Sequence, residues 1–120
     1  MRFMLLLHHP EADRPLPGTE AFGHGIAAFA AFHEELARRG IAWEGHPLKW
    51  SSTALSVRVR DGEAGVTPGA PAEGREQLGG YYVLDLPSEE AAVEVAALVP
   101  WAQGGTVEVR PVMELAVPAA

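Results

Sequence analysis

The sequence predicts an α+β domain on the ferredoxin-like split βαβ plan. Residues 2–8 and 81–86 are apolar at nearly every position, the pattern of strands covered on both faces. Between them Phe22, Ile26, Phe29, His33 and Leu36 recur at spacings of four and three, one face of an amphipathic helix that should pack on the sheet. A second helix and a last strand follow, completing the order β, α, β-hairpin region, β, α, β.

The first strand runs out at His8-His9-Pro10, and residues 11–19, with Pro15, Pro17 and Gly18, read as a loop. Thr19 is the expected N-cap of the long helix and Gly40 its C′ stop, with Glu34–Arg38 and Glu35–Arg39 pairs on the outer face. Residues 41–45 form a short strand, which Pro47 breaks. Leu55, Val57 and Val59 then alternate with Ser56, Arg58 and Arg60, so this strand has one wet face, and Asp61-Gly62 turns it back as a tight hairpin. Residues 67–78 contain Pro68, Gly69, Pro71 and Gly74 without an apolar period and read as the longest loop. Ser88 caps a helix with Glu89 and Glu90 in its first turn, Ala92, Val95 and Val99 inward, and Pro100 at its end. Gly104-Gly105 leads to a strand in which Val107 and Val109 alternate with polar residues, and Pro111 marks an edge or bulge. Two helices cover one sheet face only, and strands apolar on both sides need a second cover, which predicts a homodimer.

One domain fits 120 residues, with enough buried surface for a core without staples. Sixteen acidic against nine basic side chains argue against direct nucleic-acid binding, which needs basic groups to displace phosphate counterions. The absence of cysteine excludes thiolate zinc sites, iron–sulfur clusters and cysteine nucleophiles. The apolar start is too short to span a bilayer and lacks a cleavage pattern, so it reads as a strand of a cytoplasmic protein without a membrane partner. No phosphate-cradling glycine loop, nucleophile elbow or zinc-hydrolase helix is present, so no cofactor is expected, while cofactor-free proton transfer stays open.

Several stretches together resemble the YCII-related family, in its branch named for a DGPF motif. They are Ser52-Thr53-Ala54 through Val57-Arg58-Val59-Arg60-Asp61-Gly62, Glu76-Gln77-Leu78-Gly79-Gly80-Tyr81-Tyr82, and Gly105-Thr106-Val107-Glu108-Val109-Arg110-Pro111-Val112-Met113-Glu114. Phe3-Met4-Leu5-Leu6 and Phe32-His33-Glu34-Glu35-Leu36 extend the likeness over nearly the whole chain. Where the branch has its name-giving motif, this chain reads Pro68-Gly69-Ala70-Pro71, while Ala72-Glu73-Gly74-Arg75-Glu76-Gln77 keeps the pattern that follows. The resemblance implies a dimeric α+β barrel like that of muconolactone isomerases. It also implies a His and Asp pair in members regarded as enzymes, and in some members of the branch a genetic neighbourhood with extracytoplasmic-function sigma factors.

His33, in the apolar stripe facing the sheet, is the candidate general base; the bland alternative is a core or interface histidine. Asp85 interrupts an apolar strand and would be its catalytic partner if it points inward, and of little consequence if it points outward. Glu73 and Arg75 could orient a ligand from the long loop, or form a surface ion pair. Tyr81 and Tyr82 point to opposite faces, and Tyr82 is the candidate to hydrogen-bond a ligand. His8, His9, His24 and His46 show no metal-ligand spacing, so no metal is expected. These residues support either a small-molecule-binding protein with acid/base activity of the isomerase or lyase kind, or a non-catalytic regulatory or protein-interaction module.

Overall fold

Four strands pair into one antiparallel sheet: β1 (Arg2–Pro10), β2 (Trp43–Pro47), β5 (Glu76–Asp85) and β6 (Thr106–Pro111), in the order β2-β5-β1-β6. This is the ferredoxin-like order, with the first strand central and the last strand beside it. The computed structural model describes residues 1–115. Helices α1 (Glu20–Arg38) and α2 (Glu89–Leu98) lie on one face, and a hairpin of β3 (Leu55–Arg60) and β4 (Glu63–Pro68) is inserted between β2 and β5 as a separate two-stranded sheet. Among the described residues, no helix is long and apolar enough to cross a membrane.

Local chemistry sets the element ends. Thr19 Oγ1 accepts from the Phe22 amide at 3.2 Å and Ser88 Oγ from the Ala91 amide at 3.1 Å, so both expected N-caps form. At the far end of α1 the Ile41 amide bonds the Leu36 carbonyl and the Gly40 amide that of Ala37, a Schellman pair. This turn consumes residue 41, so β2 starts at Trp43 rather than at Ile41 as the sequence suggested. Glu35 takes both Arg38 and Arg39, at 2.6 and 2.8 Å, in place of two parallel pairs. Asp61 and Gly62, with φ of 53° and 79°, make the expected two-residue hairpin turn. The expected long loop is shorter, because β4 reaches Pro68 and β5 starts at Glu76, leaving residues 69–75. Gly79-Gly80 bends β5 instead of preceding it: Leu7 pairs with Gly80 and His8 with Leu78, so Gly79 is the extra residue of a β-bulge.

The core lies between the sheet and the helices. Phe3, Leu5 and Leu7 of β1, Tyr82 and Leu84 of β5, Phe32 and Leu36 of α1, and Ala92, Val95 and Ala96 of α2 are buried, with Leu86 and Val99. The stripe along α1 is packed most tightly at its C-terminal end, where Leu36 is 0% exposed while Ile26 is 59% exposed, and Phe29 between them is partly buried against the core. The opposite sheet face carries Met4, Leu6, Tyr81 and Val83, all half-buried, flanked by Glu44, Glu108 and Arg110. The hairpin leaves Leu55, Val57, Val59 and Val66 on one side, each at least 60% exposed. The radius of gyration, 16.6 Å, exceeds the roughly 13.6 Å of a compact chain of this length.

Candidate functional site

Between the first three turns of α1 and the β2–β5 edge lies a largely apolar cleft of about 430 Å³. Its existence follows from missing side chains. Gly45, Gly79 and Gly80 line it where other strand positions would send a residue up to the helix. A Cβ on Gly45 would come within 2.2 Å of the Tyr81 carbonyl oxygen, and one on Gly79 within 2.5 Å of the Trp101 ring. Each glycine therefore lets another group approach the sheet more closely than any side chain would permit. Phe22, Ile26 and Phe29 form the helix wall, and all three tryptophans of the chain, Trp43, Trp50 and Trp101, line the cavity.

At one end His33 Nε2 lies 2.7 Å from Tyr82 Oη. The imidazole stacks on Trp43 with ring centres 4.3 Å apart, and Trp43 meets Tyr82 at 5.3 Å, so the one indole braces both members of the pair. Burial lowers the His33 pKa and pushes that of Tyr82 up to about 12, because neither charged form is well solvated here. Near neutral pH both are uncharged: Tyr82 can donate to a ligand oxygen, and His33 can accept a proton.

At the other end the Arg14 guanidinium lies 4.0 Å from the centre of Trp50 and 5.1 Å from that of Trp101. Its Nη2 donates to the Leu48 carbonyl at 3.0 Å. Burial lowers its pKa, against the opposing pull of Glu11. Sequence reasoning did not single out Arg14. Its partners are remote in the chain and a lone arginine in a loop has no periodicity, so no local signal marked it.

The structure brings His33 and Tyr82 together but not Asp85. Asp85 lies on the open face, 75% exposed, paired with the Met1 amine at 3.0 Å, while His33 is across the sheet beside Tyr82. The alternation of side chains along β5 separates residues 82 and 85, so the His33–Asp85 pairing does not form. Arg75 is an exposed partner of Asp13 at 3.6 Å, and Glu73 borders a second, more open depression of about 520 Å³ with Leu48, Ser51 and Gln77. Neither Glu73 nor Arg75 lines the cleft. Among the described residues no three His, Asp or Glu side chains gather as they would around a metal ion; His8 pairs with Glu108 at 3.1 Å and His9 stacks on Trp101.

A family model described as the YCII-related domain matches residues 1–116. The chain belongs to the YCII-related family. Comparison with curated proteins returned no match. In this YCII-related protein the ferredoxin-like α+β frame carries the cleft between α1 and the β2–β5 edge.

Proposed function

We propose that this YCII-related protein binds a small organic molecule in the α1–sheet cleft and performs acid/base chemistry on it, of the isomerase or lyase kind. The observation that carries the reading is the His33–Tyr82 pair at 2.7 Å at the end of an apolar cavity of ligand size. Tyr82 donates its one proton to a ligand oxygen while accepting from His33 Nε2–H, so the ligand proton goes to the other imidazole nitrogen, Nδ1; Asp85 has no part in it. Every tryptophan lines the cleft, so intrinsic fluorescence reports on its occupancy. The test is a fluorescence and thermal-shift screen of small organic acids, ketones and lactones, followed by NMR in D2O to detect deuterium entering any molecule that binds. Binding, with exchange abolished in His33→Ala, is the expected result; a panel in which nothing binds sinks the reading.

The same reading includes a homodimer. Four half-buried apolar residues on the open sheet face and the exposed apolar side of the hairpin both need cover, and an isolated two-stranded hairpin is marginal in water. Light scattering should give twice the chain mass, and Val57→Lys with Val59→Lys should shift it towards the monomer. A monomeric wild type at tens of micromolar would favour the interaction-module alternative, with the hairpin contacting another protein.

A further inference from the structure

We infer that the ligand of the cleft is an organic acid whose carboxylate is taken by Arg14, with its apolar body along α1 and a second oxygen at His33–Tyr82. The inference rests on the reading of the cleft as a ligand site and adds the class of molecule. Sixteen carboxylates are distributed over this chain, yet none lines the cleft, and Arg14 is its one permanently charged side chain. Arg14 is also incompletely used. Its Nη1 is buried without a hydrogen-bond partner among the described residues, and no carboxylate there lies within ion-pair distance. The nearby acids are engaged elsewhere: Glu11 accepts from the Ser51 amide and hydroxyl, and Asp13 faces Arg75.

An unpartnered charged donor beside apolar rings is costly, and two carboxylate oxygens match the guanidinium fork. Trp50 and Trp101 hold that fork in place on two sides, so little order must be gained on binding. The layout suits an acid with an apolar body. Arg14 and the His33–Tyr82 pair both line the one cleft, and the walls between them are apolar, with Phe22, Ile26 and Phe29 on the helix side and Trp101 meeting both Phe29 and Arg14.

The test compares 4-hydroxybenzoate, 4-hydroxyphenylacetate and 3-(4-hydroxyphenyl)propionate, which carry a second oxygen opposite the carboxylate, with their amides, by tryptophan fluorescence and calorimetry on the full chain. Each acid is expected to bind about tenfold or more tightly than its amide, the scale of a charge-assisted hydrogen bond. Arg14→Gln should bring the acids down to the level of the amides, and Arg75→Gln, at an arginine outside the cleft, should preserve the preference. Equal binding of acids and amides to the wild type, a comparison that needs no variant, overturns this inference and leaves the cleft a ligand site. A preference that survives Arg14→Gln also overturns it. Failure of both series to bind overturns the ligand-site reading together with it.

Discussion

The two halves of α1 face the same sheet and meet opposite fates. Its C-terminal half buries Phe32 and Leu36 against Leu5, Tyr82 and Leu84, whereas its N-terminal half leaves Ile26 exposed and Phe22 and Phe29 as the wall of a cleft. The helix sequence alone does not explain this, because the stripe continues through both halves. The difference lies across the gap, where one end of the sheet presents branched and aromatic side chains and the other presents Gly45, Gly79 and Gly80. The tight packing lies at the C-terminal end of the helix and the open, ligand-sized space beneath its N-terminal turns, with His33 where the two meet.

That contrast predicts a graded set of outcomes. Leu36→Ala should cost about 2–5 kcal/mol in denaturant unfolding, as for other fully buried leucines, whereas Ile26→Ala should stay within about 0.5 kcal/mol, the range of surface changes. Equal costs would break the distinction between a packed and an open half. Next, Gly79→Ala should destabilise by about 1–3 kcal/mol because its methyl must displace the Trp101 ring, and the tryptophan emission should shift with it. By contrast Gly23→Ala, in the same helix as the cleft wall but with nothing within 4 Å of its Cβ, should stabilise by about 0.5–1 kcal/mol. A pH-dependent effect concerns the pair at the boundary of the halves. With the His33 pKa lowered in the fold, the unfolded chain binds the extra proton, so stability is lost as pH falls from about 6.5. With Tyr82 raised to about 12, the unfolded chain ionises first, so stability is lost as pH rises above about 10. Chemical denaturation across pH should show a plateau between these limits, narrowing less at each side in His33→Ala and Tyr82→Phe respectively.

Much of the frame was legible because its signals are local. The caps at Thr19 and Ser88, the Asp61-Gly62 turn, and the inward positions Ala92, Val95 and Val99 each depend on residues a few places apart. His33 facing the sheet was legible for the same reason, being a helical-period position. Asp85 and the loop residues were not. A carboxylate inside an apolar run can point either way, and only strand pairing showed that it shares the open face with Tyr81 and Val83. The bulge at Gly79 was likewise invisible, since two adjacent glycines read equally as a strand break or a strand bend.

By itself the sequence determined the family, the α+β element order, both helix caps, the hairpin turn and the helix-borne histidine, because each follows from periodicity, turn chemistry or motif along the chain. The tertiary structure decided that Tyr82 rather than Asp85 meets His33, that glycines open a cleft beneath α1, and that Arg14 lies between two distant tryptophans. Those are juxtapositions of residues far apart in the chain, set by strand register and sheet face, and no local pattern of residues encodes them.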